Sequence, residues 1–265
     1  MYHMARRWTK KEEGRYREEL KKLYIVQNKT ITEIGAVLGI SEKTVFDRLG
    51  RLGIKTQPHL KKNYLHKRQN LVIPKIYSND IAEFFGIMLG DGHISHFQTM
   101  ITLGNKEVSY VYYIVNLFEK IFGLQPKVSI KKRGYRTIYL GSVDLTSWLL
   151  KEGLVFNKVK LQVDVPKWIF LETKYMEMFL RGFFDTDGSV YKLKNGGVQI
   201  SLTNRSLPIL KSLQKMLKVL QYKPSGISCF KVYLTKRADL LRFFKEIQPQ
   251  NVKHVTRFES FYMRR

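Results

Sequence analysis

Apolar residues in the first 56 positions recur at helical spacing. In 12–27 (EEGRYREELKKLYIVQ), Leu20, Leu23 and Tyr24 fall at i, i+3 and i+4, predicting a first helix. Thr30 and Glu33 form a T-x-x-E capping box that opens a second helix of about two turns. Its apolar positions are Ile31, Ile34, Val37 and Leu38, and Gly39 stops it. Ser41 caps a third helix, Glu42 to Leu52, with Val45, Leu49 and Leu52 on one stripe and Lys43, Thr44, Asp47, Arg48 and Arg51 off it. From residue 80 onward short alternating segments are interleaved with longer helical ones. Hairpin signals, Lys132-Arg133-Gly134 and Asn195-Gly196-Gly197, mark the strand turns.

This second part repeats itself. FFGIMLGDGHI at 84–94 recurs as LRGFFDTDGSV at 180–190, pairing Gly86 with Gly182, Asp91 with Asp187 and Gly92 with Gly188. Downstream, ITLGNK from Ile101 matches ISLTNR from Ile200, and TIYL from Thr137 matches KVYL from Lys231. Each copy reads α-β-β-α-β-β-α, with middle helices at about Lys106 to Phe122 and Ser206 to Leu220. The expected architecture is therefore α+β, two pseudo-symmetric repeats (80–170 and 171–265) preceded by a small all-α domain (1–56) and a linker (57–79).

Composition narrows the function. The 265 residues carry 47 Lys+Arg against 22 Asp+Glu, a net charge of +25, and both parts share it: +10 in 1–70 and +15 in 71–265. Hydrophobic residues at 44% and aromatics at 13% supply a real core, so this is a folded polyanion binder and not a basic tail. From Arg48 to Asn79 the chain holds eight Lys/Arg and no acid. Such a segment repels itself unless a phosphate backbone neutralises it, so Lys55, Lys61, Lys62, Lys67 and Arg68 are expected to track one. Against that background the second and third helices, joined by Leu38-Gly39-Ile40-Ser41, predict a helix-turn-helix. Lys43, Thr44, Arg48 and Arg51 then meet DNA, the alternative being a helical subdomain that only packs. A single cysteine excludes disulfide frameworks and clustered-cysteine metal sites, and fits a reducing compartment. With neither a signal peptide nor a membrane-length apolar run, the protein is read as soluble, cytoplasmic (nucleoid-associated) or organellar, and not secreted.

The repeated Asp-Gly carries the candidate chemistry. Each copy sets a carboxylate at a helix C-terminus, where the dipole disfavours it, so something positive should compensate. Gly86 with Gly90, and Gly182 with Thr186, are small-x-x-x-small pairs. They let the two helices approach closely and bring Asp91 and Asp187 together. Two carboxylates at such distance call for a shared hard cation, Mg²⁺ above all, with Mn²⁺ or Ca²⁺ as further occupants.

These residues resemble the single-chain, two-motif LAGLIDADG homing endonucleases over about residues 80 to 260. Copy one reads FFGIMLGDG and copy two LRGFFDTDG, both keeping the final Asp-Gly. The resemblance implies that Asp91 and Asp187 are the metal ligands. Leu89 replaces the motif's first acid, and Asp185 keeps it but should point elsewhere. It also implies a basic residue near each scissile phosphate, here Lys158 after KEGLVFN and Lys253 after KEIQPQNV, each one half-domain after its Asp. Lys160 and His254 are the alternatives in register. Asn105 and Asn204 are candidates for holding a metal-bound water, or simply helix N-caps.

The family's sheets form a saddle over DNA, which predicts a core face and a DNA face. Ile94, Ile101, Leu103, Ile138 and Leu140, with Val190, Ile200, Leu202, Val232 and Leu234, make the core face. His93, Ser95, Thr102, Thr137, Tyr139, Ser189, Tyr191, Lys192, Lys194, Gln199, Ser201, Lys231 and Tyr233 then face DNA. The hairpin residues Lys131, Lys132, Arg133 and Arg136 reach phosphates or bases. His93 and His96 should face opposite sides of a strand, no nucleotide-binding G-x-x-x-x-G-K-[ST] occurs, and Cys229 reads as a buried structural thiol in a strand-like stretch.

The expected function is a monomeric, Mg²⁺-dependent endonuclease that cuts one phosphodiester on each strand of a long, asymmetric double-stranded DNA site, with no membrane partner. The resemblance adds 3′ overhangs across the minor groove. The alternatives are an RNA maturase that assists splicing of its intron and a non-catalytic transcription regulator. No splicing residues of an intein are seen at the chain's ends.

Overall fold

The structure, a computed structural model, describes residues 9–27, 29–54, 70–194 and 196–262. The chain divides into two compact units, 1–65 and 66–265.

In the first unit, α1 (Lys10–Lys21) begins on a reciprocal cap between Thr9 and Glu12 and widens into a π turn over Lys22–Val26. It therefore starts two residues before the expected helix. The Thr30–Glu33 capping box opens α2 (Ile31–Leu38), which stops at left-handed Gly39 (φ 62°), and Ser41 caps α3 (Glu42–Arg51). Leu20, Leu23, Tyr24, Ile34, Val45, Leu49, Leu52 and Ile54 close a small core of their own.

In the second unit, copy one is α4 (Asn79–Leu89), β1 (Gly92–Ile94), β2 (Gln98–Leu103), α5 (Val108–Phe122), β3 (Lys127–Ile130), β4 (Arg136–Gly141) and α6 (Val143–Lys151). The strands form an antiparallel sheet in the order β1-β2-β4-β3. Arg133 (φ 70°) and Gly134 (φ 78°) make the tight β3–β4 turn. Copy two is α7 (Thr173–Asp187), β5 (Gly188–Lys192), β6 (Val198–Thr203), α8 (Leu207–Val219), β7 (Lys231–Leu234) and α9 (Arg237–Glu246). It departs from the expected repeat in two ways. Its sheet, among the described residues, has three strands, β5-β6-β7; the segment matching β3 leaves only the Ser225 N–H to Tyr233 carbonyl bond and a Ser228–Lys231 bridge beside β7 before the chain turns through left-handed Cys229 and Phe230. A further helix, α10 (Val252–Tyr262), follows α9.

All ten strand positions assigned to the core face are buried. Ile81 through Leu89 are buried without a break, as a helix apolar on every side but for Glu83 requires. Helices α4 and α7 cross at the glycines: a Cβ on Gly86 would stand 2.2 Å from the Phe179 carbonyl oxygen, and one on Gly90 2.0 Å from the Thr186 hydroxyl. Glu83 lies in this core, 1% exposed, with its carboxylate accepting from the Tyr113 hydroxyl at 2.6 Å and paired with Arg181 at 3.6 Å.

Candidate functional site

The close crossing of α4 and α7 sets Asp91, just past the end of α4, and Asp187, the last residue of α7, at the same end of the helix pair; both are partly buried. Burial pushes the Asp187 carboxyl up, and the charge of Asp91 pushes it further, against Lys158, Asn204 and Lys253. Burial likewise raises Asp91, against Lys253 and Lys158 and with the nearby charge of Glu107. The pair is thus two carboxylates held where ionisation is costly, a setting that an added cation relieves.

The positive charge demanded by the end of α4 comes from Lys158. Its ammonium donates to the carbonyls of Met88 (3.0 Å), Leu89 (3.1 Å) and Gly90. Burial holds this ammonium below the usual lysine range, while Asp187 and then Asp91 pull it back up. Lys253, on the first turn of α10, donates to Glu107 at 2.6 Å and is the cation that acts most strongly on Asp91. The charge of each lysine reaches both carboxylates, Lys253 acting more strongly than Lys158 on Asp91 and Lys158 more strongly than Lys253 on Asp187.

The two asparagines diverge. Asn204 donates from Nδ2 to Asp187 at 3.0 Å while its Oδ1 accepts the Ser206 N–H at 2.9 Å; it braces the turn before α8 and touches the carboxylate, but the N-cap of α8 is Ser206 and not Asn204. Asn105 is exposed at the hairpin, where its backbone carbonyl accepts from Arg136 at 2.7 Å. Glu107, two residues on, is the acid whose charge acts on Asp91. It was missed in the sequence, although ITLGNKE against ISLTNRS shows an acid in one copy only.

Asp185 points away as expected. Its carboxylate accepts the backbone N–H groups of Gln250 (2.8 Å) and Asn251 (3.1 Å), and burial outweighs them to push it up to about 7. His254, the register alternative to Lys253, is buried against the Phe184 ring at 4.8 Å, and burial drives it down to about 3. Lys160 lies exposed, its backbone N–H donating to Asn157.

On the sheets, His93, Thr102, Lys131, Arg133 and Lys192 are exposed, as is Lys194 beyond β5, and Ser95, Tyr139, Ser189, Tyr191, Gln199, Lys231 and Tyr233 are partly so. Two assignments need correction. Ser201 is 1% exposed because it is in the middle strand, flanked across the sheet by Ser189 and Tyr233; Thr137 is 8% exposed and shares a hydrogen bond with Thr102. Arg136 is drawn back onto the carbonyls of Asn105 and Gly134. Cys229 is also corrected: it is exposed in a turn and is no buried strand thiol.

In the first unit Lys43 is exposed at the start of α3 and Thr44 bonds Ser41. Arg51 is exposed as expected and pairs with Glu13 at 3.5 Å, whereas Arg48 is only partly exposed and lies over the Tyr16 ring at 5.0 Å, so both also brace α3 against α1. Phe46, 55% exposed on α3, was passed over because it breaks the apolar stripe. Lys55, Lys61, Lys62, Lys67, Arg68 and the Lys132 side chain lie outside the described residues.

Among the described residues no three His, Cys, Asp or Glu side chains gather into a metal cage. Two carboxylates alone fit a cation that keeps several of its waters, as Mg²⁺ does. No helix among them is long and apolar enough to cross a membrane.

Residues 174–248 match the model of the LAGLIDADG-like domain. Among curated proteins, glutamine–fructose-6-phosphate aminotransferase of Methanocaldococcus jannaschii is 24% identical over 75% of this chain and 17% of its own length. The replication factor C small subunit of the same organism is 32% identical over 44% of this chain and 6% of its own. The chain therefore spans only a small part of these relatives. Among solved structures, the N-terminal LAGLIDADG domain of DUF199/WhiA aligns at TM-score 0.47 and 17% identity, covering 66% of this chain and 86% of that one. I-DmoI in complex with DNA and Ca aligns at 0.45 and 13%, covering 64% and 88%. At these values neither structure lends residue roles to this chain. The match to the LAGLIDADG-like domain falls on the second repeat, from α7 through α9, within a mixed α+β fold.

Proposed function

We propose that the chain is a site-specific, divalent-cation-dependent DNA endonuclease built on two LAGLIDADG motifs, with α2 and α3 acting as a helix-turn-helix that lengthens the footprint. The observation that carries this is the pairing of Asp91 and Asp187 at one end of the α4–α7 crossing, flanked by Lys158 and Lys253, in a chain of net charge +25. A site of paired acids and paired cations, within a basic protein, suits phosphodiester hydrolysis better than passive binding.

Asp91 and Asp187 would hold Mg²⁺ and its waters, which supply a nucleophile and Lewis acidity at the phosphate. Asn204 orients Asp187. Lys158 and Lys253 face the charge that grows on the phosphate as a water oxygen bonds to phosphorus and the P–O3′ bond breaks. His93, Thr102, Lys131, Arg133, Lys192 and Lys194 contribute contacts from the sheets to phosphates and bases, and Lys43 and Thr44 contribute theirs from α3.

The curated relatives support a mobile origin. An aminotransferase and a replication factor subunit share with this chain a stretch that is 17% of one and 6% of the other. A segment common to proteins of such different activity behaves as a module inserted into a host reading frame. The DNA to test is accordingly the uninterrupted host locus, joined from the sequences flanking the chain's gene. A discrete double-strand cut in Mg²⁺, lost in EDTA, is expected. Specific binding without a cut would instead favour a transcription regulator, and binding of folded intron RNA alone a maturase.

A further inference from the structure

The two half-sites are not chemically alike. The carboxylate of Glu107, 11% exposed, accepts three donors: the Lys253 ammonium at 2.6 Å and Asn251 Nδ2 at 2.7 Å on one oxygen, and the Gly104 N–H at 2.7 Å on the other. Asn251 is itself fixed, 1% exposed, donating its N–H to the Asp185 carboxylate and its Nδ2 to the Asp185 carbonyl at 2.9 Å. A polar bracket thus runs from the β2–α5 junction of copy one, through the start of α10, to α7 two residues before Asp187. It forms one wall of a cavity of about 510 Å³ that Lys106 and Arg257 also line.

Among the described residues copy two has no such device. The residue matching Glu107 is Ser206, whose hydroxyl donates to the Val163 carbonyl at 2.6 Å and touches no lysine. Gly104 is matched by Thr203, and a Cβ at Gly104 would lie 2.8 Å from the Glu107 carboxylate, so the glycine leaves that carboxylate room in its bracket. Lys158 is held by main-chain carbonyls and Lys253 by a side-chain carboxylate. Removing one acid should therefore release one cation and leave the other in place.

We propose that Glu107 is a positioning residue that holds Lys253 at the Asp91 half-site, so that cutting of one DNA strand depends on Glu107 while cutting of the other does not. This rests on the endonuclease reading of the site. Without the carboxylate Lys253 gains the freedom of a long, partly exposed side chain and faces the phosphate in only a fraction of its rotamers.

The test uses the full chain with Glu107→Gln, which keeps the side chain's length and an acceptor oxygen, and two readouts. The first is the nicking rate of each strand, separately labelled, on the uninterrupted host locus in Mg²⁺, alongside Lys253→Met and Lys158→Met. Glu107→Gln is expected to slow about tenfold the same strand that Lys253→Met slows, leave the other within about twofold, and keep the wild-type urea midpoint. Lys253→Arg, which can keep the ion pair, should retain more of the first strand's rate than Lys253→Met. The second readout is the ammonium resonance of Lys253 in lysine-labelled protein, which needs no cleavage. It should be resolved and slow to exchange in the wild type and lost in Glu107→Gln.

Equal slowing of both strands, or slowing of the strand governed by Lys158, overturns the proposal, and so does a Lys253 resonance unchanged in Glu107→Gln. If the wild type cuts neither strand, the endonuclease reading fails by itself, and the resonance still decides whether Glu107 orders Lys253.

Discussion

A Cβ on Gly182 would stand 2.1 Å from the carbonyl oxygen of Glu83, the mirror of Gly86 against Phe179 across the pseudo-twofold of the repeat. Both obstacles are backbone, which cannot rotate aside as a side chain can. Gly86→Ala and Gly182→Ala should therefore each cost roughly 3 kcal/mol or more through overpacking. Gly90→Ala meets backbone only at 3.5 Å, the Ile87 carbonyl, and its close obstacle is the Thr186 side chain, whose hydroxyl can rotate although its Cβ at 2.8 Å cannot, so it should cost less. Urea midpoints of the three variants check the order.

Glu83 and Arg181 form a pair inside the same interface, 1% and 12% exposed. Burial raises the Glu83 carboxyl, and the hydrogen bond from Tyr113 and the charge of Arg181 oppose that rise. Removing the cation leaves a buried acid without its charge partner, so Arg181→Met should destabilise by about 3 kcal/mol. The double change Glu83→Gln, Arg181→Met should recover part of that loss, as a denaturation cycle on the four proteins would show.

His254 supplies a pH test. Burial lowers its folded-state value to about 3, below the 6.5 of an unperturbed imidazole. A depressed histidine contributes stability that is complete above the unfolded value and is lost as pH falls from about 6.5 towards 3. His254→Phe keeps an aromatic ring against Phe184 and removes the proton site. Its urea midpoint should fall less steeply than the wild type's between pH 6.5 and 4, a difference worth a few kcal/mol at the acid end.

Lys43 is the exposed cation at the start of α3, whereas Arg51 is already paired with Glu13. If α3 docks on DNA, Lys43→Ala should flatten the slope of log K against log salt by about 1, and Arg51→Ala by less. Binding titrations between low and moderate salt read this directly.

Where each feature was legible depends on how local its cause is. Thr30, Ser41 and Gly39 act within one turn, so the caps of α2 and α3 were readable from the chain. The duplication made Gly86, Gly182 and the alternating strand faces readable, because the same constraint is written twice. What departs from the repeat was not readable. Glu107 acts through residues 144 and 146 positions away, and α10, which carries Lys253, has no matching helix in copy one. The contacts of Arg48 and Arg51 were not readable because their partners, Tyr16 and Glu13, lie in a separate helix. Ser201 has the strand parity of an outward residue and is buried by its position in the middle strand.

In the proposed reaction Asp91 and Asp187 act together on a phosphodiester. The most direct measurement compares wild type, Asp91→Asn and Asp187→Asn on the uninterrupted host locus, scoring binding in Ca²⁺ and cleavage of each strand in Mg²⁺. Retained binding with cleavage reduced at least 1,000-fold in either variant, on the order of 4 kcal/mol of transition-state stabilisation, is the result predicted. Cleavage by either variant within tenfold of the wild-type rate would contradict the account.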